Sequence, residues 1–166
     1  SGWIETLVTA NHPDTDMSFR NIGWSADTPQ GDSRLGLSLV QAGNEAPGEG
    51  WRQLVKQLEL TRPDVLAIGY GMASGLEAAK QHHSPDAAAK QFETDYQKLI
   101  DKAREISPNV EFVFLTPISH LDSNNPAAKF IDRLAQSIRE LAAKEDAMLL
   151  DLSRVAMDAS LRKDDV

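Results

Sequence analysis

Four short apolar runs, at 17–22, 64–70, 111–115 and 147–152, alternate with stretches in which apolar positions return every three or four residues. The runs hold β-branched and aromatic residues and are nearly continuous, a pattern that predicts strands covered on both faces. The three-to-four spacing between them predicts amphipathic helices. Trp51 to Leu58 carries such a stripe, and Pro63 stops it. Ser84-Pro85-Asp86 supplies an N-cap, a proline at the first helical position and an early acid, and Phe92, Tyr96, Leu99, Ile100, Ala103 and Ile106 then fall on one side. Asn125-Pro126 repeats the device ahead of Phe130, Ile131, Leu134, Ile138 and Leu141, with Arg133, Arg139 and Glu140 turned outward. Shorter helices are predicted near the start, Trp3 to Val8, and in the tail, Val155 to Leu161, with Trp3 and Trp51 in the core.

Helix and strand thus alternate along the whole chain. The right-handed crossover rule folds that order into a doubly wound α/β domain, a mostly parallel sheet with helices on both faces, as one unit over residues 1–166. In such sheets ligands bind at the carboxyl ends of the strands. The long irregular stretch at 23–50 and the loop after 64–70 are therefore where chemistry is expected.

Composition narrows the classes. A chain of 166 residues with 41% hydrophobic content can bury a core without staples. A formal net charge of −8 opposes nucleic acid and anionic lipid, so neither is expected as a partner. The absence of cysteine excludes a disulfide framework, a thiolate metal site and a cysteine nucleophile. No apolar run is long enough to cross a bilayer, and Ser1-Gly2-Trp3-Ile4-Glu5 lacks the character of a signal peptide. No cofactor and no metal site is expected: His82 and His83 point apart on a helical segment, and His12 and His120 lie elsewhere along the chain.

Two strand-end loops carry a resemblance. Asn21-Ile22-Gly23-Trp24-Ser25-Ala26-Asp27-Thr28 resembles the second conserved block of the SGNH/GDSL hydrolases, which reads roughly Asn-x-x-x-Ser-Gly-Asp-Thr. Val65 to Ser74, ending Gly71-Met72-Ala73-Ser74, is similar to that family's third block, an apolar strand closing in Gly-x-Asn-Asp or Gly-x-Asn-Glu. Phe112 to Pro117 and Leu149-Leu150-Asp151-Leu152 resemble its fourth and fifth strands, so the likeness runs the length of the chain in order. The resemblance implies a flavodoxin-like three-layer fold and ester hydrolysis of acylated sugars, lipids or thioesters.

Carried over residue by residue, the chemistry is incomplete. The family's nucleophile lies in a Gly-Asp-Ser turn after the first strand, and this chain opens at what resembles the following helix, so the first strand is missing. The block-two oxyanion glycine falls on Ala26 and the block-three oxyanion asparagine on Ala73. The Asp-x-x-His base would begin where Lys163-Asp164-Asp165-Val166 ends the chain. Three readings stand: a degenerate hydrolase domain whose crevice still binds a small ester or carbohydrate, an active esterase completed by flanking sequence, and a partner-binding module that self-associates through an exposed strand edge. The candidate ligand contacts are Gly23, Trp24, Ser25, Asp27, Thr28, Gly71, Met72, Ser74 and His120.

Gly31-Asp32-Ser33 spells the nucleophile triplet, yet Asp27-Thr28-Pro29-Gln30 precedes it where a strand is required. A polar turn is the expectation there. Trp24 is expected either to stack on a ligand or to plug the core.

Overall fold

The computed structural model describes residues 2–34, 48–81, 84–118 and 124–155. Its centre is a parallel sheet of three strands, β1 (Val65–Ile68), β2 (Glu111–Leu115) and β3 (Met148–Leu150), in the order β1-β2-β3. The register pairs Leu66 with Phe112 and Ile68 with Phe114, then Phe114 with Leu149. Five helices that lie wholly within the described residues accompany it: α1 (Trp3–Asn11), α2 (Glu49–Thr61), α3 (Met72–Lys80), α4 (Pro85–Ile106) and α5 (Pro126–Lys144). A mixed α/β architecture is thereby established.

The helix starts form for the reasons the sequence suggests. The Ser84 hydroxyl accepts from the Ala87 N–H at 3.2 Å and the Asn125 side-chain oxygen accepts from the Ala127 N–H at 3.0 Å, each satisfying an amide that has no partner within its helix. Pro85 and Pro126 occupy first-turn positions where a missing N–H costs nothing. Helix α2 stops at Thr61, ahead of Pro63, with Arg62 in the left-handed region at φ 41°.

One core joins the sheet to its helices. Leu66, Ile68, Phe112 and Phe114 pack with Leu54 and Leu58 of α2, with Phe92, Tyr96, Leu99 and Ile100 of α4, and with Leu134, Ile138 and Leu141 of α5. Tyr96 lies at its middle, fully buried, its ring 5.4 Å from Phe92 and 5.2 Å from Phe114. Its hydroxyl donates to the Ile68 carbonyl at 3.3 Å, so burial leaves no orphaned donor. Helix α3 crosses the start of α5 at Gly75, where a Cβ would meet Ile131 Cγ1 at 2.7 Å. This glycine inside a helix serves close packing.

Four expectations need correction. The run at 17–22 takes no regular structure and joins no ladder, and its side chains are mostly exposed, so it is not a strand. The sheet is covered on one face only among the described residues: Val65, Ala67, Met148 and Leu150, on the face opposite the core, are exposed. Apolarity in these strands reports what a side chain prefers, and here one face lacks its cover. Trp3 is 76% exposed and α1 buries no residue, so Trp3 is not core. Met72-Ala73-Ser74 open α3 instead of continuing a loop, because Gly71 turns the chain and alanine-rich sequence propagates the helix. Helical structure begins at 152–155, and the rest of the expected tail helix lies outside the described residues, as do His82, His83 and His120.

Candidate functional site

The carboxyl end of β1 leads through Gly69 and Tyr70 to Gly71, whose φ of 121° is accessible to glycine and strained for other residues. A Cβ there would also stand 2.9 Å from Pro117 Cγ. Across from this turn runs the segment 21–27, with a turn at Ser25-Ala26. Between the two lies a crevice of about 430 Å³. Its walls include Gly23, Trp24, Ala26 and Asp27 on one side and Gly71, Met72 and Ala73 on the other, over a floor of Leu54, Leu58 and Leu99. Six consecutive residues, Leu66 to Gly71, border it. Alternate residues of a strand face opposite ways, so a continuous border means that the edge of β1 faces the crevice. That edge has no strand partner among the described residues.

Seven residues singled out by sequence therefore meet at one place: Gly23, Trp24, Asp27, Gly71 and Met72, together with Ala26 and Ala73. Trp24 is 49% exposed, which rules out a core plug. Ser25 is exposed, and Thr28 donates its hydroxyl to Asp32. The Ser74 hydroxyl is buried without a hydrogen-bond partner. None of these three lines the crevice.

Ala26 adopts φ 58°, a left-handed conformation that costs a residue bearing a Cβ about 1–2 kcal/mol. The turn is held in place by its neighbours. Ser33 donates its hydroxyl to the Ala26 carbonyl at 2.6 Å, and its N–H donates to Asp27 Oδ1 at 3.1 Å. Gly31, at φ 77°, sits so close to Gly50 of α2 that a Cβ would meet the Gly50 carbonyl oxygen at 2.6 Å. Gly31-Asp32-Ser33 is thus a polar turn that locks the loop to α2. Its serine hydroxyl is committed to a backbone carbonyl.

Sequence reasoning missed the polar group behind this wall. Arg34 and Asp27 form a buried ion pair, Nε to Oδ2 at 2.8 Å, close in distance but not aligned as a hydrogen bond. Arg34 also donates to the Ile22 carbonyl at 2.9 Å, to Gln57, and to the Tyr70 hydroxyl at 3.3 Å. Burial raises the Tyr70 phenol above its ordinary pKa, outweighing the hydrogen bond from Arg34. Tyr70 is therefore neutral at physiological pH. This network ties the 22–34 loop to α2 and to the end of β1.

A second network closes the other strand ends. Asp151, just past β3, accepts from Arg139 Nε at 2.8 Å and Nη2 at 3.0 Å, from Thr116 at 3.1 Å and from Ser153 at 2.8 Å. Hydrogen bonding to Arg139 is the largest cause holding its carboxyl well below the usual range. Both oxygens of Asp151 are already engaged, which suits a structural role. A larger groove of about 790 Å³ runs between the outer surfaces of α4 and α5, lined by Lys90, Glu93, Lys98, Asp101 and Glu140. It lies on the helical surface away from the strand ends and mixes charges of both signs.

Among the described residues no group of three or more histidine, aspartate or glutamate side chains is placed to hold a metal, and no helix is long and apolar enough to cross a membrane. Comparison with known proteins finds no matching family model, no matching curated protein and no matching solved structure.

Proposed function

We propose that this chain is a domain of the SGNH/GDSL-hydrolase type whose strand-end crevice binds a small ester or acylated sugar without hydrolysing it. The observation that carries this reading is Ala26 at φ 58°. The backbone there keeps a geometry suited to glycine, at the position where the resemblance calls for the oxyanion glycine. Ala73, at the position of the oxyanion asparagine, borders the same crevice and offers no side-chain donor. Losing one such donor lowers acyl-transfer rates by about 10²–10³. The apolar floor suits an acyl group, and the half-exposed Trp24 ring suits the face of a sugar. An amide NMR titration with an acetylated monosaccharide tests the reading. Shifts are expected at Gly23, Ala26, Gly71 and Ala73 and at the Trp24 indole; shifts confined to other surfaces, or none, would remove it.

One observation favours a second reading, an esterase completed by sequence flanking these 166 residues. Among the described residues the edge of β1 is unpaired, and it faces the crevice, where a further strand of a doubly wound sheet, carrying a serine turn, would fit. Hydrolysis of an aryl ester by a longer polypeptide containing residues 1–166, absent from residues 1–166 alone, would favour it over binding.

A further inference from the structure

Among the described residues two apolar surfaces lie uncovered, one on the sheet and one on a helix. The first is the sheet face opposite the core. Register and alternation place Val65, Ala67, Val113, Leu115, Met148 and Leu150 on it, and Val65 and Met148 are 56% and 63% exposed. All-parallel sheets occur almost only with helices on both faces, so this face requires a helical layer. The second is α1. At 100° per residue Trp3, Leu7, Ile4 and Val8 fall within one arc of about 140°, with Glu5 and Thr9 opposite. Trp3, Ile4 and Leu7 are 76%, 71% and 59% exposed, although this is the arc that an amphipathic helix buries.

We infer that a second copy of the chain covers both surfaces, with α1 of each protomer lying on the open sheet face of its partner in a closed, twofold dimer. Every other described helix buries apolar residues of its own, whereas α1 buries none. Reciprocal exchange is the arrangement that uses each patch once and closes, whereas one-way docking would leave a helix and a face free and propagate into fibres. The area suffices. At these exposures each patch amounts to on the order of 300–500 Å², in the range of the largest apolar patches on monomers. Two reciprocal contacts then bury about 1,200–2,000 Å², the size of a stable interface. The net charge of −8 on each copy opposes association, so added salt should strengthen it.

Sedimentation equilibrium on the full chain tests the exchange, using Trp3→Glu and Met148→Glu as surface variants whose circular dichroism and Tm report that they fold. The expected result is a mass that doubles with concentration in the wild type, and a Kd at least about tenfold weaker in either variant. Mixing the two variants should recover part of the association, because the heterodimer keeps one intact helix-on-face contact where each variant homodimer keeps none. A monomer at every concentration, growth past twice the monomer mass, or association that survives both substitutions would overturn the proposal. Variants that fold but fail to complement on mixing would overturn it equally.

Discussion

Arg34 and Asp27, seven residues apart in a loop, meet as an ion pair at 2.8 Å with side chains only 2% and 1% exposed. The pair helps to fix the loop side of the crevice, because Arg34 also holds the Ile22 carbonyl, Gln57 and Tyr70. A buried pair of this kind is weak evidence of net stabilisation, yet removing one partner leaves the other charge buried and alone. Asp27→Asn is expected to cost about 3–5 kcal/mol. Urea unfolding checks the magnitude, and a loss below about 1 kcal/mol would show the pair to be solvated.

Backbone geometry gives a prediction of opposite sign. Ala26 is left-handed at φ 58°, so Ala26→Gly removes steric strain and should raise stability by about 1 kcal/mol, net of the added unfolded-state entropy. Gly71→Ala meets both an unfavourable φ and the Pro117 ring and should lower stability by more than about 1 kcal/mol. Thermal melts of the two variants should shift in opposite directions.

The strand-end carboxylate sets an acid limit. Hydrogen bonding to Arg139 depresses the Asp151 pKa in the folded state. A depressed folded pKa adds stability that is complete above the unfolded value of about 3.9 and is lost as pH falls from there toward the folded value. Asp151→Asn should cost about 2 kcal/mol at neutral pH and flatten the fall in stability below about pH 4. Denaturation midpoints measured from pH 2 to 7 on both proteins provide the comparison.

Ser33 provides a chemical control. With its hydroxyl donating to the Ala26 carbonyl, Ser33→Ala should leave any aryl-ester turnover unchanged and cost about 1 kcal/mol of stability. A rate that disappears with this hydroxyl would make the loop triplet a nucleophile after all.

Much of the fold was legible in the sequence because local signals were strong. Glu111–Leu115 is a strand over the five residues of its apolar run, and Ser84-Pro85 and Asn125-Pro126 open helices whose stripes are the core. The run at 17–22 misled because apolarity records a preference for burial and cannot name the neighbour that would supply the ladder. Trp3 misled for the same reason: its helix buries none of its residues. At the site, Gly23, Trp24, Ala26, Gly71 and Ala73 were legible as candidates because they follow apolar runs, although 17–22 is no strand and Ala73 opens α3. The Arg34–Tyr70 contact joins residues 36 apart, with α2 and β1 between them, a separation that no local pattern announces.

The measurement closest to the central claim is an NMR titration of residues 1–166 with an acetylated sugar, following protein amides and free acetate in one tube. Saturable shifts at Gly71, Ala73 and the Trp24 indole with no growth of the acetate signal are the predicted result. Release of acetate abolished by Ser33→Ala, or a crevice silent to every ligand concentration, would contradict the account.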